Sequence, residues 1–244
     1  MNNLLPIPQL LVRELRTDEI YIWHACLEQP ASQFQSLLSV DERNRAERFH
    51  FEADRKRFIV RRGILRTLLS YYLGVEPGQI QFCYGKNGKP DLADTLGKGT
   101  IHFNLSLSEG VALYAFTRDR EIGVDIELIR NIPEMEPIVA QYFSAGENDV
   151  FSALPKSKRK EAFYDCWTRK EAFVKATGDG LSLPLNGFDV SLAPGEPTRL
   201  LRIEGDSGPA SGWSIQDLKL VFGFAAAFAV KGRIGSVHCW QWCD

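Results

Sequence analysis

"REIGVDIELIR", residues 120–130, has the alternation of a β-strand and places two acidic residues on one side of it. The apolar positions are Ile122, Val124, Ile126 and Leu128. Gly123, Asp125 and Glu127 occupy the alternate positions, so both carboxylates are expected on one face with their roots about 7 Å apart. One interpretation, favoured by the strand alone, is the solvent-facing side of a half-buried antiparallel strand. The other is a site for a hard cation, with Gly123 leaving room for a ligand.

The composition is that of an ordinary globular protein. The chain has 244 residues, enough for one large domain or two small ones. Its 29 basic and 31 acidic residues leave a net charge of −2, which does not indicate binding to nucleic acid or to an acidic membrane surface. No apolar run approaches the ~20 residues that span a bilayer, and the N-terminus lacks a signal-peptide pattern. These features predict a soluble cytoplasmic protein.

The cysteines predict reduced thiols. The five cysteines are Cys26, Cys83, Cys166, Cys239 and Cys243. Their number is odd and no C-x-x-C pair occurs, in a chain too large to depend on disulfides. A metal site built on His238, Cys239 and Cys243 is not favoured, because further ligands with suitable spacing are missing.

Two segments with helical periodicity divide the chain into similar parts. Apolar residues recur at helical spacing over residues 54–72 and again over 158–177, and a glycine follows each segment. The two starts lie 104 residues apart (158 minus 54). Strand-like segments follow each helix, at 79–84, 100–106 and 111–117 in the first part and at 187–192, 198–203, 213–218 and 222–230 in the second.

This order of elements predicts an α+β fold rather than alternating βαβ units. The two similar halves, each a helix followed by antiparallel sheet, would span residues 1–118 and 119–244. The strand at 121–128 would lie between them, and a site shared by both halves is expected at that strand.

A second stretch with candidate chemistry is "DCWTRKEAFVKATGDGLSLPL", residues 165–185. On a helix, Lys170 falls within an apolar stripe, where its ammonium needs a partner or must reach the rim. Glu171 and Lys175 stand at i and i+4, a spacing that by itself indicates an ordinary surface ion pair.

Two further segments could bind phosphate or could be solvated surface. In "YGKNGKPDL", residues 84–92, Asn87-Gly88 predicts a two-residue hairpin turn, and Lys86 and Lys89 would suit a phosphate group. The basic run at 43–58 is equally compatible with a solvated helical face. Its cations include Arg45, Arg48, Lys56 and Arg57.

The segment "FNLSLSEG", residues 103–110, places two hydroxyl groups on one face of a strand. Ser106 and Ser108 would point toward one ligand or toward water, and water is favoured without other evidence.

Taken together, these motifs resemble the signature of the Sfp-type 4'-phosphopantetheinyl transferases. "GVDIE" occupies residues 123–127 and "WTRKEAFVK" occupies residues 167–175, with 41 residues between Asp125 and Trp167. Weaker blocks agree in order, namely "GKP" at 88–90, "FN" at 103–104 with the following serine, and "GDGLSLPL" at 178–185. The resemblance covers most of the chain and is weakest before residue 39 and after residue 205.

The resemblance implies a pseudo-twofold α+β fold with coenzyme A between the two halves. Such enzymes transfer the phosphopantetheine arm of coenzyme A to a serine of an apo acyl or peptidyl carrier protein and release adenosine 3',5'-bisphosphate. These carriers serve fatty acid, polyketide or nonribosomal peptide synthesis. A monomer is expected, with neither nucleic acid nor membrane as a partner.

The resemblance also implies roles for individual residues. Asp125, Glu127 and Glu171 would hold Mg²⁺ on the pyrophosphate, and Glu171 would act, directly or through water, as the base for the serine. Lys175 and Lys89 would balance phosphate charge. The residues expected to bind coenzyme A are Arg45, Arg57, Lys89, Pro90, Ser106 and Lys175.

One position departs from the family pattern. Family members commonly have a histidine between two serines, and it helps to hold the 3'-phosphate of coenzyme A. This chain has Ser106-Leu107-Ser108, which leaves open how that phosphate is held. The alternatives to a transferase are a Mg²⁺-dependent phosphohydrolase or nuclease built on the same acids, and an inactive module that binds carrier protein or coenzyme A.

Overall fold

The computed structural model describes residues 15–93, 101–193, 195–204 and 212–242. Within these ranges it has five α-helices and eleven β-strands. The helices are α1 (Val40–Glu47), α2 (Glu52–Leu73), α3 (Met135–Tyr142), α4 (Ala145–Ala153) and α5 (Lys156–Thr177). The strands are β1 (Glu19–Cys26), β2 (Phe82–Tyr84), β3 (Pro90–Leu92), β4 (Ile101–Ser108), β5 (Val111–Arg118), β6 (Ile122–Leu128), β7 (Phe188–Val190), β8 (Leu200–Ile203), β9 (Trp213–Asp217), β10 (Phe224–Lys231) and β11 (Ser236–Gln241).

The two halves of the chain repeat one topology. The first runs β1, α2, the hairpin β2–β3, then β4 and β5, and the second runs β6, α5, the hairpin β7–β8, then β9 and β10. Their sheets have the equivalent orders β1-β5-β4 and β6-β10-β9, with antiparallel pairing throughout. The predicted α+β class and its pseudo-twofold arrangement are therefore confirmed.

Each half begins with a strand, which the sequence analysis missed in the first half. Strand β1 is buried on both faces, so it lacks the alternation of apolar and polar residues that identifies a half-buried strand. Strand β11 then pairs with β1 in parallel and extends the first sheet with a segment from the C-terminal part of the chain. The sheet of the first half therefore includes a strand whose residues follow those of the second half.

The long helices lie close to their predicted positions. Helices α2 and α5 each have 22 residues and begin at residues 52 and 156, again 104 residues apart (156 minus 52). Each ends at a glycine in the left-handed conformation, Gly74 with φ 66° and Gly178 with φ 77°. Glycine adopts this conformation without the steric cost of a Cβ, so it is an effective helix terminator.

Strand β6 is buried on both sides. Ile122, Val124 and Ile126 face the first sheet and pack in a cluster with apolar residues of β1 and β5. The opposite side faces α5, and Asp125 is only 3% exposed. The interpretation of Asp125 and Glu127 as the solvated face of a half-buried strand is therefore wrong for Asp125, whereas Glu127 is half-buried.

Gly123 lets α5 cross closely over β6. A Cβ at this position would lie 2.1 Å from the carbonyl oxygen of Ala172 and 2.3 Å from the amide nitrogen of Ala176. Both atoms belong to the backbone of α5, so side-chain rotation would not relieve the clash. The expectation that Gly123 leaves room for a ligand is wrong, because a helix occupies that space.

Buried ion pairs fix the short helices α1 and α4 against the long helices. In the first half, Glu42 of α1 accepts hydrogen bonds from Nε of Arg62 at 2.5 Å and Nε of Arg66 at 2.6 Å, which fixes α1 against α2. In the second half, the ammonium group of Lys170 lies 2.7 Å from Glu147 of α4. Lys170 is completely buried and also donates to the backbone carbonyls of residues 185 and 188, so the expected partner for this lysine is confirmed.

The hairpin β2–β3 forms, but its turn differs from the predicted one. The amide of Gly88 donates to the carbonyl of Gly85 at 2.9 Å, so Lys86 and Asn87 are the central residues of the turn. Gly88 follows in the left-handed conformation with φ 79°. The prediction that Asn87-Gly88 forms a two-residue turn is wrong.

Four of the five cysteines, Cys26, Cys83, Cys166 and Cys239, lie in the described ranges and are free thiols, as expected. Cys243, and most of the loop at 204–212, lie outside those ranges. Among the helices of the described part, none has the length and hydrophobicity needed to cross a bilayer.

Replacing Gly123 by alanine should destabilise the fold, because the added methyl group meets helix backbone. We expect a loss of about 1 to 3 kcal/mol in the free energy of unfolding, the usual cost of overpacking. Gly146→Ala in α4 is the control, since a Cβ there meets nothing within 4 Å. Urea unfolding of both variants measures the difference, and equal stabilities would contradict the close approach of α5 to β6.

Candidate active site

Side chains of β4 join the two halves along β6. The carbonyl oxygen of the Asn104 side chain accepts from the amide of Val124 at 2.9 Å, and the hydroxyl of Ser108 accepts from the amide of Leu128 at 3.1 Å. These side chains satisfy backbone groups of β6 that would otherwise be buried without partners. The preferred interpretation that the serines of this strand face water is therefore wrong.

Asp125 is at the centre of a buried polar cluster. Its Oδ1 accepts from Nζ of Lys175 at 2.6 Å and from the hydroxyl of Ser106 at 2.9 Å. The ammonium group of Lys175 also donates to the Ser106 oxygen at 2.9 Å. The other oxygen, Oδ2, is buried and finds no hydrogen-bond partner within the described part of the chain. An unpaired buried carboxylate oxygen is costly, so this atom is available to a ligand.

The other two predicted acids lie near this cluster. Glu127 accepts a hydrogen bond from the hydroxyl of Ser108 at 3.1 Å. Glu171 of α5 makes neither a hydrogen bond nor an ion pair with any other described residue, because Lys175 turns to Asp125 instead. The surface ion pair that the helical spacing of Glu171 and Lys175 indicates is not formed.

The pKa values of all three acids are raised, by burial first and, for Glu127 and Glu171, also by neighbouring acids. Burial raises the pKa of Asp125, and the nearby Lys175 only partly offsets this effect. Burial and then the charge of Asp125 raise the pKa of Glu127. The pKa of Glu171 is raised by burial and by the charges of Asp125 and Glu127. The site therefore has more negative charge than its one lysine balances, which favours an added cation.

The donor chemistry of this site fits Mg²⁺, which prefers carboxylate oxygens and retains several water molecules. The free Oδ2 of Asp125 and the unpaired Glu171 are oxygen donors with no competing partner among the described residues. In the arrangement observed for these ranges, however, the acids do not converge into a group of three metal ligands. The bound ammonium group of Lys175 occupies one side of Asp125.

The β2–β3 hairpin is tied to the end of α5. Nζ of Lys89 donates to the carbonyl of Lys175 at 2.7 Å, and the side-chain amide of Asn87 donates to the carbonyl of Asp179 at 2.7 Å. Burial lowers the pKa of Lys89. Lys89 therefore stabilises the helix end in this structure, and its predicted contact with phosphate stays a prediction.

A cleft of about 660 Å³ opens between the two halves beside this cluster. The predicted site residues that line it are Arg45, Lys89, Pro90, Glu171 and Lys175. Asp125, Glu127 and Ser106 are not among its lining residues, so Lys175, whose side chain is 30% exposed, connects the buried Asp125 with the cleft. Arg57 lies outside the lining and pairs with Glu28 through an Nη2–Oε1 distance of 2.6 Å.

Sequence reasoning missed several residues of the cleft. Arg61, Tyr84 and Tyr142 contribute to its walls. Arg61 follows the basic run that was bounded at residue 58, so continuing that run by one helical turn was the available signal. The two tyrosines carry no such signal, because only the tertiary arrangement of their elements brings them to the cleft.

Comparisons with known proteins identify the family of this chain. The pattern of the family described as 4'-phosphopantetheinyl transferase superfamily matches residues 121–229, and that of 4'-phosphopantetheinyl transferase, N-terminal, matches residues 22–117. The chain is 41% identical over 231 residues to 4'-phosphopantetheinyl transferase HetI of Nostoc sp. (strain PCC 7120), with 93% of each protein covered. The chain belongs to the 4'-phosphopantetheinyl transferase superfamily.

A second relative and a solved structure share less sequence with this transferase. It is 32% identical over 176 residues to 4'-phosphopantetheinyl transferase Sfp of Bacillus subtilis, which covers 71% of this chain and 75% of the relative. Among solved structures, the holo-[acyl-carrier-protein] synthase of Thermotoga maritima matches 46% of this chain and 63% of its own, with 22% identity and a TM-score of 0.38. The curated relatives confirm the expected family and the transferase class.

The crowding of acids predicts that Glu171→Gln stabilises the metal-free protein. The pKa of Glu171 is raised in the folded state, so the folded protein holds this proton more tightly than the unfolded chain does. As the pH rises through the titration range of Glu171, the free energy of unfolding therefore falls. At pH 8 the free energy of unfolding of Glu171→Gln should exceed that of the wild type by at most about 1 kcal/mol after solvent screening, or about 2 to 4 °C in melting temperature. The difference should vanish near pH 4, where the carboxyl group is protonated.

Thermal melting at both pH values, without divalent cations, measures this effect. Glu161→Gln is the control, because Glu161 lies on the same helix at an exposed position 3.9 Å from Lys158. A gain for Glu171→Gln that is the same at both pH values, or equal to that of the control, would contradict the proposed repulsion.

Proposed function

We propose that this transferase moves the 4'-phosphopantetheine arm of coenzyme A to a serine of an apo acyl or peptidyl carrier protein. The observation that carries the proposal is the acidic cluster of Asp125, Glu127 and Glu171 beside a cleft formed by both halves. Membership of the family supports the reaction class. Phosphoryl transfer depends on charge neutralisation and alignment of the nucleophile more than on covalent help from the protein, and this cluster has the groups for both.

The reaction exchanges one phosphorus–oxygen bond for another. The serine hydroxyl oxygen attacks the phosphorus atom that carries pantetheine, and the new bond joins that oxygen to phosphorus. The pyrophosphate bond breaks, and adenosine 3',5'-bisphosphate leaves with the bonding electron pair. The proton of the serine passes to a base of the enzyme, directly or through water.

Asp125, Glu127 and Glu171 are the residues that would hold Mg²⁺. When bound, this ion supplies charge neutralisation at the pyrophosphate. The free Oδ2 of Asp125 and the raised pKa values of the three acids support this part of the proposal.

Lys175 places positive charge between the buried acid and the cleft. Its ammonium group is oriented by Asp125 and Ser106 at 2.6 and 2.9 Å. Because both Lys175 and Glu171 line the cleft, the cation faces the substrate next to the acid. In this position it would balance charge that develops on the leaving phosphate, with Lys89 and Pro90 forming the adjacent wall.

Glu171 is the best candidate for the base. It lines the cleft, and no other described residue forms a hydrogen bond or ion pair with it. A carboxylate without a competing partner at the cleft can accept the proton of the serine, directly or through water.

The proposed partners are coenzyme A and an apo carrier protein, and the protein is proposed to act as a monomer in the cytoplasm. Intact-mass spectrometry of an apo carrier protein, incubated with the enzyme, coenzyme A and Mg²⁺, tests the function. A gain of one phosphopantetheinyl group supports it. Release of inorganic phosphate from simple esters, without modification of the carrier, would instead support a phosphohydrolase.

Asp125→Asn and Glu127→Gln keep side-chain size while removing negative charge. Each should lower Mg²⁺-dependent transfer by at least about 100-fold, as expected for loss of a group that neutralises transition-state charge. Asp149→Asn, at an exposed position of α4, is the control for the change of charge. Full activity of the Asp125 variant at low Mg²⁺ would remove the proposed metal site.

Glu171→Gln should lower kcat by at least about 100-fold while the fold is preserved, because it removes both charge and basicity. Steady-state kinetics at one pH and one Mg²⁺ concentration, with Glu161→Gln as the control, measure this loss. A change of only a few-fold would reduce Glu171 to a structural residue.

A further inference from the structure

The side chain of Lys89 connects the two halves of the molecule. Lys89 belongs to the β2–β3 hairpin, and its Nζ donates to the carbonyl of Lys175 at 2.7 Å. The same Nζ donates to the carbonyls of Ala176 and Ile122, at 3.3 Å each. Two of these carbonyls lie in the last turn of α5, and the third lies at the start of β6. Lys89 therefore contacts both elements that carry the acidic cluster.

These three contacts use the whole donor capacity of the ammonium group. A lysine ammonium has three N–H bonds and no acceptor. Three carbonyl oxygens lie within hydrogen-bond distance of the Nζ of Lys89, one for each N–H bond. A phosphate group would gain a hydrogen bond from Lys89 only by displacing one of these carbonyls.

The two carbonyls of α5 are groups that a helix does not satisfy by itself. The last four carbonyls of an α-helix have no amide partner within the helix, and a cation beside them also interacts favourably with the helix dipole. The carbonyl of Val174 accepts from the amide of Gly178, where α5 ends. Lys89 provides the donor for the next two carbonyls, so a side chain of the first half completes the C-terminus of α5.

Asn87 of the same hairpin extends this attachment beyond the helix. Its side-chain amide donates to the carbonyl of Gly178 at 3.0 Å and to that of Asp179 at 2.7 Å. The hairpin also lies close to the following residue, because a Cβ at Gly180 would be 3.1 Å from the Asn87 side chain. The end of α5 is thus held at several successive positions by one hairpin.

The contacts of Lys89 lie where α5 and β6 approach each other. Ile122 precedes Gly123, over which the backbone of α5 passes closely. Lys175 is the residue whose ammonium group lies 2.6 Å from Asp125. Lys89 fixes the backbone of Lys175, and Asp125 orients the ammonium group of the same residue. Loss of Lys89 would remove a connection between the end of α5 and the strand that carries Asp125.

We propose that Lys89 is a positioning residue, which holds the end of α5 against β6 and thereby keeps the ammonium group of Lys175 between Asp125 and the cleft. The inference rests on the proposed function, in which Lys175 balances charge on the leaving phosphate. This role differs from the phosphate contact that the family resemblance implies for Lys89. The two roles predict different kinetic changes.

The experiment compares wild type, Lys89→Met, Lys89→Arg, Lys175→Met and the double variant of Lys89→Met with Lys175→Met. Methionine keeps an unbranched apolar stem but has no N–H donor. Lys158→Met is the matched control, because it removes the same charge from an exposed position in the first turn of α5, at the end opposite to Lys89.

Three measurements follow the variants at one pH and one Mg²⁺ concentration. The carrier-protein assay gives kcat and KM for coenzyme A, and isothermal titration gives the Kd of coenzyme A. Hydrogen exchange of the amides in the last turn of α5 reports its attachment without any reaction. If melting shows that Lys89→Met does not fold, Lys89→Gln, whose amide retains two N–H bonds, takes its place.

Lys89→Met should lower kcat by about tenfold or more, because Lys175 loses its fixed position. The Kd of coenzyme A should change by less than about threefold, since the carbonyls already use the donors of Lys89. Lys89→Arg should recover part of kcat, because a guanidinium group also donates to helix carbonyls. In the Lys175→Met background, Lys89→Met should lower kcat no further, because it acts through Lys175. Exchange at the end of α5 should be faster in Lys89→Met and unchanged in Lys158→Met.

The outcomes separate this inference from the proposed function. If the wild type transfers the arm, a higher KM and Kd with kcat unchanged in Lys89→Met would indicate a direct phosphate contact, and the inference would be wrong. Losses that add in the double variant, or no loss at all, would also contradict it. If the wild type does not transfer, the function is rejected, and hydrogen exchange still decides the attachment. Faster exchange in Lys89→Met then supports it, and unchanged exchange rejects it.

Discussion

The close approach of α5 to β6 is the constraint on which the site depends. Without a side chain at Gly123, the backbone of the helix lies against the strand at distances that a Cβ would not allow. This contact brings Lys175 within 2.6 Å of Asp125, although the two residues are 50 positions apart in sequence. Gly123 thus serves packing rather than ligand binding, and this packing brings the charged groups of the site together.

The repeated topology explains why a cleft forms where it does. Each half buries one face of its sheet under a long helix, and the two sheets bury their remaining apolar faces against each other. At this junction, polar side chains of β4 accept hydrogen bonds from backbone amides of β6. The cleft is lined by both halves, with arginines of α1 and α2 on one wall and Glu171 and Lys175 of α5 on another.

The charges of the site oppose the stability of the fold. Three acids with raised pKa values have one lysine among them, and one carboxylate oxygen of Asp125 is buried without a partner among the described residues. Such an arrangement is unfavourable in isolation and favourable once a cation and a substrate are present. The buried pair of Lys170 and Glu147, which is fully compensated, shows that the same helix also carries charges that serve only the fold.

Local patterns in the sequence predicted the two long helices and most strands, because helix periodicity, glycine caps and alternation act over a few residues. The acids of the site were proposed from the resemblance to the family, not from these patterns. The local patterns did not reveal β1, whose burial on both faces removes the alternation, or the free Arg61, whose state depends on which neighbours find carboxylates. The partners of Asp125, Ser106 and Ser108 were also beyond local patterns, since α5, β4 and β6 are brought together by packing. The sequence by itself determined which charged and polar groups lie on which helix or strand. Only the tertiary structure decided which of these groups are paired and which remain free for a ligand, because pairing depends on distances between residues remote in sequence.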